Sequence, residues 1–305
     1  DTPDDAGQTS PAVAYNEDGD AFAAWANAST PSQTLRGARY DAGTGEWTEL
    51  PDPIASEPHQ VGDVRVALND DGQAAVVWTT GWADAIRGNA IGRASGTATL
   101  IASGPHADLP TLAADDDGQF VAVWQEFDFA HPDVLPHAMT TTYRPGQDDW
   151  TAAEPLADGY SGAPTLAANA SGDMVVSLFT MRQPATDPPT PELSVAYRPS
   201  GSAGFGPRQA VQSGNVTGGE ATGVSSVALD DAGNAAVVFP MLDGSAAVTG
   251  FAAGDGAPPR LSGVSVPATA SAGEQVAFSA DPFDLWSGVG TTSWDFGDGG
   301  SASGT

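Results

Sequence analysis

Apolar and polar positions along this chain fall into one phrase that returns five times. An aliphatic residue, alanine and one further residue lead into a short Asp/Asn-rich turn ending in glycine, and an apolar run then closes on a bulky side chain. The copies run from Val13 to Trp25, Val66 to Trp78, Leu112 to Trp124, Leu166 to Leu178 and Val227 to Phe239. Their turn glycines, Gly19, Gly72, Gly118, Gly172 and Gly233, set a period of 46 to 61 residues. Self-similarity at such a period signals a repeat architecture before any single residue is weighed. Each copy predicts an opening strand of about four residues and a tight turn in which glycine takes positive φ. The return strands, such as Ala74-Ala75-Val76-Val77-Trp78 and Phe120-Val121-Ala122-Val123-Trp124, are apolar on both faces. A strand of that kind is covered from both sides.

A second hairpin follows in the better-formed copies. Tyr40 precedes a Gly-containing turn and Trp47, Tyr143 precedes one and Trp150, and Tyr197 precedes one and Phe205. Two hairpins per repeat make a four-stranded blade, and the chain reads as an all-β β-propeller with five visible blades. The blades cover approximately residues 1–56, 57–105, 106–160, 161–218 and 219–257. The alanines at 14, 67, 113, 167 and 228 fit crowding near an axis where blades converge. The first copy starts at a blade boundary and the fifth stops near Phe251. Either five blades close with a makeshift last blade, or an upstream segment makes a sixth in the intact protein; the second is the expectation.

From Pro258-Pro259 the pattern changes. Strand-like stretches at Leu261–Pro267 and Gly273–Ala280 lead to Trp294-Asp295-Phe296-Gly297-Asp298-Gly299. This hexapeptide resembles the signature of PKD domains, small immunoglobulin-like sandwiches. The resemblance covers residues 258–305 only in part, because the strands that would complete the sandwich do not follow. The combination is similar to a group of secreted proteins of high-GC, actinobacterial-type bacteria in which propeller repeats precede a PKD domain. That resemblance implies an extracellular or cell-surface setting and brings no catalytic residues with it.

Charge narrows the partners. Against 39 acidic residues stand 10 basic ones, all arginine, for a formal net charge of -29. Such a surface repels nucleic acid and anionic membranes, whose phosphates require cationic neutralisation. The chain has no cysteine, so thiol and disulfide chemistry are excluded. No apolar run is long enough to span a bilayer as a helix.

Candidate chemistry is sparse. The acidic turns superficially suggest calcium loops, but no copy supplies alternating oxygen ligands and a distant bidentate glutamate. They read as hairpin turns; no metal site or cofactor is assigned, and the anionic surface admits at most weak calcium binding. His131 and His137 flank an insertion without a ligand motif. Glu126, Asp128, Asp63, Asp84 and Asp133 lie near strand ends that could face a central pocket, though nothing singles out a pair for glycoside hydrolysis. Trp82, Phe127 and Phe129 lie just beyond apolar strands, where aromatic rings can stack on sugars, and they are the candidate ligand-binding residues. Together these features give a secreted or cell-surface recognition or adhesion module that binds a polysaccharide or a surface protein, leaning away from an enzyme. One alternative is a propeller glycoside hydrolase with a carboxylate pair in its central pocket. Another is a structural subunit of a surface layer or filament, self-assembling through the incomplete C-terminal domain.

Overall fold

The Asp/Asn-to-Gly phrase folds as its chemistry demands. Gly19, Gly72, Gly118, Gly172 and Gly233 take φ of 83°, 73°, 77°, 77° and 87°, each at the tip of a hairpin. A computed structural model describes residues 8–28, 33–81, 85–91, 99–102, 106–115, 118–127, 137–147, 149–156, 161–182, 190–213, 225–243, 246–255, 260–267, 269, 271, 275–283, 291–297 and 299–303. Over these residues the chain is all-β, and no helix is long and apolar enough to cross a membrane.

Five antiparallel sheets, or blades, follow in chain order. The first holds β1 (Gln8–Tyr15), β2 (Ala21–Ala28), β3 (Gln33–Asp41) and β4 (Glu46–Glu49), with β5 (Ala55–Glu57) also paired to β3. The second runs β6 (Val61–Leu68), β7 (Ala74–Thr80), β8 (Ala85–Ile91) and β9 (Thr99–Ala102). The third runs β10 (His106–Ala114), β11 (Phe120–Phe127), β12 (His137–Tyr143) and β13 (Glu154–Pro155). The fourth runs β14 (Ser161–Ala168), β15 (Met174–Arg182), β16 (Thr190–Arg198) and β17 (Gln209–Ser213). The fifth has three strands among the described residues, β18 (Ser226–Leu229), β19 (Asn234–Asp243) and β20 (Ala246–Asp255).

The blades stack face to face, β1 on β6, β6 on β10, β10 on β14 and β14 on β18. Four apolar clusters fill the four interfaces. Phe22, Ala24 and Ala26 of β2 meet Ala74, Val76 and Trp78 of β7 in the first. Val77 of β7 meets Phe120, Ala122 and Trp124 in the second, and Val121 and Val123 meet Met174, Val176 and Leu178 in the third. Val175 and Phe179 meet Ala235, Val237 and Phe239 in the fourth. The period-2 alternation of each second strand thus sends one face to the preceding blade and the other to the following blade. This is propeller packing. No apolar cluster joins the fifth blade to the first among the described residues, so the ring of sheets is open at that seam.

One expectation changes in detail. The opening strands of the first four blades are eight or nine residues long rather than about four, and each contains a bulge. Register shifts fall between Thr9 and Ala12, Gly62 and Arg65, Asp108 and Thr111, and Gly162 and Thr165. At each shift a non-glycine residue takes left-handed φ: Ser10 51°, Asp63 44°, Leu109 50° and Ala163 46°. Proline follows three of the four, which suits a bulge, because a position outside the ladder needs no N–H donor. Two aromatic pairs of the second hairpins form, with ring centroids 5.4 Å apart for Tyr40 and Trp47 and 5.6 Å for Tyr143 and Trp150.

Beyond the blades, β21 (Arg260–Ser265) pairs with β22 (Ser279–Phe283) and β23 (Ser293–Asp295) with β24 (Ser301–Ser303), as two separate two-stranded sheets. Phe278 packs against Trp294 and Phe296, at 5.8 and 5.2 Å between ring centroids.

Candidate functional site

The five turns are built alike and meet at one place. In every copy the first turn residue uses its side-chain Oδ1 to accept the backbone N–H four residues on. The distances are 2.9 Å for Asn16 from Asp20, 2.8 Å for Asn69 from Gln73, 2.7 Å for Asp115 from Gln119, 2.9 Å for Asn169 from Asp173 and 2.7 Å for Asp230 from Asn234. This side-chain-to-backbone bond is the reason Asn and Asp, and no other residues, occupy the position.

Where the residue is Asn, its amide also ties one blade to the next. Asn16 Nδ2 donates to the carbonyl of Asn69 at 3.3 Å, Asn69 Nδ2 to that of Gly118 at 3.4 Å, and Asn169 Nδ2 to that of Asp230 at 2.8 Å. Asp115 has no amide to donate. The fourth blade answers with Arg198, whose Nη1 lies 3.3 Å from Asp115 Oδ2 in a pair that is 2% and 0% exposed. The second turn residues add carboxylate contacts, Asp70 Oδ1 accepting from Glu17 N at 3.2 Å and Asp231 Oδ1 from Ala170 N at 3.4 Å. Burial opposes ionisation of Asp230, yet the backbone and side-chain amides of Asn234 and the N–H groups of Ala232 and Gly233 outweigh it and hold the carboxyl below its usual range.

These turns surround a cavity of about 410 Å³ lined by residues of all five blades. Its wall carries the carboxylates of Glu17, Asp70 and Asp231, the amides of Asn16, Asn69 and Asn169, and Tyr15, and among the described residues it includes no arginine or histidine. Tyr15 is 80% exposed. Glu17 and Asp70 are neighbours by construction, because the backbone of one is bonded to the carboxylate of the other. An opening with carboxylates, amides and an exposed ring suits a neutral polyhydroxyl ligand and repels an anionic one. A second cavity of about 320 Å³, between the outer strands of the third and fourth blades, holds Arg144 and Arg198. Both guanidinium groups serve the scaffold there. Arg144 Nε donates to Gln119 Oε1 at 2.8 Å, and Arg198 is committed to Asp115 and the Ser202 carbonyl.

The residues singled out from sequence do not gather here. Phe127 ends β11, half-buried and in register with His106, away from the cavity wall. Trp82 and Phe129 lie outside the described residues, as do Asp84, Asp128, His131 and Asp133. Asp63 is exposed in the second bulge, and Glu126 accepts the indole N–H of Trp124 at 3.0 Å. The cavity carboxylates are instead the turn residues, whose local role is plain in sequence and whose convergence appears only when the blades stack. Among the described residues no three acidic or histidine side chains are grouped to hold a metal ion.

Neither a family model nor a curated protein matches the chain. Solved structures do align with it. The Penicillium chrysogenum α-L-arabinanase complexed with arabinobiose aligns at 14% identity over 78% of this chain and 79% of its own, with a TM-score of 0.46. A protein of unknown function from Dyadobacter fermentans aligns at 12% identity over 81% and 75%, with a TM-score of 0.50. A PL25 ulvan lyase aligns at 8% identity over 79% and 66%, with a TM-score of 0.47. At these identities the likeness speaks to the fold. The expectation leaning away from an enzyme is nonetheless corrected, since the matched structures are mainly glycoside hydrolases and polysaccharide lyases.

Proposed function

We propose that the chain is a carbohydrate-active enzyme that hydrolyses a neutral polysaccharide at the cavity where the five turns meet. The observation that supports this is the adjacency of Glu17 and Asp70 in an opening without arginine among the described residues, beside the exposed ring of Tyr15. Glycoside hydrolysis needs one carboxyl to protonate the leaving oxygen and one carboxylate to activate water or attack the anomeric carbon. Asp70, whose Oδ1 is held by the Glu17 N–H, takes the basic role. Glu17, on the exposed rim, takes the acidic role. Tyr15 offers a ring face for stacking on a sugar. The overall charge of -29 selects against uronate or sulfate polymers, and with it goes the choice of hydrolysis over lyase chemistry.

The same reading places the protein outside the cell or on its surface and takes residues 258–305 as part of a PKD-type sandwich. The Phe278, Trp294 and Phe296 ring cluster and the tight turn at Gly297, whose N–H bonds Asp295 Oδ1 at 2.9 Å, support the latter. The test is incubation of the full chain with neutral polysaccharides, with new reducing ends followed by mass spectrometry. Glu17→Gln and Asp70→Asn should each slow release by about 10²-fold or more while the proteins stay folded. Undiminished release by both variants sinks the assignment of the pair. Unsaturated products from a uronate polymer would replace hydrolysis by elimination.

A further inference from the structure

The fifth and first blades present two faces that every other interface in the molecule buries. On the side of each second strand that looks back at the preceding blade, Trp78, Trp124 and Leu178 are fully buried and Phe239 nearly so. Their counterpart Trp25 is only half-buried, and its indole nitrogen has no hydrogen-bond partner, whereas the nitrogens of Trp78 and Trp124 bond Glu57 and Glu126. Next to it on the same face of the first blade, Val13 is 65% exposed and Tyr15 80%. On the forward-looking side, Val77, Val123 and Ser177 are fully buried, but Val238 of the fifth blade is 41% exposed. Ala228 is also exposed there, while its counterparts Ala67 and Ala113 are buried. Exposed apolar side chains of this size gathered on two sheet faces mark an interaction surface.

We infer that the seam between these faces takes one further four-stranded blade of the same repeat. The repeat itself dictates the occupant. Both exposed faces carry the pattern that elsewhere pairs with the opposite face of another copy, so the partner is a sheet whose second strand is apolar on both sides. Charge adds a second condition. Asp230 is, with Asp115, one of the two acids at the first turn position, and Asp115 is met by Arg198 of the blade that follows it. Arg198 is in register with Met174, and the residue of the first blade in that register, opposite Ala21, is the uncharged Tyr40. A blade following the fifth should therefore carry arginine at the end of its third strand to meet ionised Asp230. Residues 161–213 already have this character, with Arg198 in place and Val175 and Phe179 facing forward.

The absence of cysteine gives a clean assay. Val13→Cys and Val238→Cys are made singly in the 305-residue chain and again in a chain with a second copy of residues 161–224 placed ahead of Asp1. Thiol-labelling rates and thermal midpoints are then compared. The seam predicts fast labelling at both positions in the unextended chain, slowing of roughly tenfold or more at both in the lengthened one, and a higher midpoint. It also predicts that Arg198→Met in the added copy alone reverses part of that rise. Unchanged labelling and midpoint in the lengthened chain overturn the inference. So does protection of both cysteines in the unextended chain with a dimer in sedimentation, since a second copy of the protein would then fill the seam.

Discussion

The bulge in the second blade gives a test in which the folded-state cost stands almost alone. Asp63 takes φ of 44° and its side chain is exposed, so replacing it alters little packing. An L-residue held in the left-handed region costs roughly 1–2 kcal/mol, with Asp toward the low end because its short side chain tolerates that region. Asp63→Gly removes the cost and adds about 0.5–1 kcal/mol of extra chain entropy lost on folding. The net expectation is stabilisation by about 0.5 kcal/mol, which for a unit of this size raises the midpoint by ~1–2 °C. Asp63→Val is the opposing variant. A β-branched residue tolerates positive φ worst, so it should lose about 1–2 kcal/mol. Urea melts of the two variants and the parent read the difference as a shift in midpoint at constant m. If Val is as stable as Asp, or Gly is destabilising by more than 0.5 kcal/mol, then φ at this bulge is not the controlling strain.

Three further outcomes follow from the turns. Arg198→Met strands the buried Asp115 carboxylate and should cost about 3–5 kcal/mol in a urea melt. Adding Asp115→Asn should recover much of that, because the asparagine repeats the arrangement of Asn69; failure of the double variant to recover would show that Arg198 acts mainly by packing. The depressed carboxyl of Asp230 contributes stability above its unfolded range near pH 4, and that contribution is lost as pH falls through the lower folded value. Asp230→Asn should therefore flatten the stability profile on that acid limb, and an unchanged slope between pH 5 and 2 would remove the assignment. Asn169→Ala removes the bonds from Asp173 N and Ser171 N and the 2.8 Å bond to the Asp230 carbonyl, and should cost about 1–3 kcal/mol as read by thermal melting.

What the sequence disclosed was whatever each repeat states locally. The Asp/Asn-to-Gly turns, the two-faced apolar strands and the Tyr/Trp pairs depend on neighbours within one blade, and they fold as read. The bulges were also legible, since Pro11, Pro110 and Pro164 recur at one repeat position within the opening strands. Within a sheet proline is confined to edges and to places where the ladder is broken, and that was the available signal. The cavity was not legible for a different reason. Glu17, Asp70 and Asp231 are 53 and 161 residues apart along the chain, and their convergence depends on how far each blade rotates against the last. Trp82 and Phe129 were chosen for lying next to buried strands, a criterion that marks strand ends without saying which ends face a common opening.

The Asp/Asn turn unites scaffold and site in a way that limits which residues can carry chemistry. At its first position the side-chain oxygen is bound to the N–H of residue i+4 in all five copies, so those side chains are committed to the turn. At its second position the side chain is free of the turn, and in Glu17, Asp70 and Asp231 it reaches the cavity wall. Asp70 and Asp231 each receive a backbone N–H from the preceding blade, whereas Glu17 belongs to the first blade, whose back-looking face meets the open seam. A blade filling that seam would bring its own turn against Glu17, and by the pattern of the other interfaces its second residue would donate an N–H to the Glu17 carboxylate. That bond would occupy a lone pair of the Glu17 carboxyl and hold it against the new turn, away from a substrate. The seam and the cavity are therefore coupled: if both the closing blade and the hydrolytic pair hold, the lengthened chain should release reducing ends more slowly than the 305-residue chain. Equal release by two chains that differ in Val13→Cys protection would separate the claims, leaving the seam intact and moving the proton donor away from Glu17.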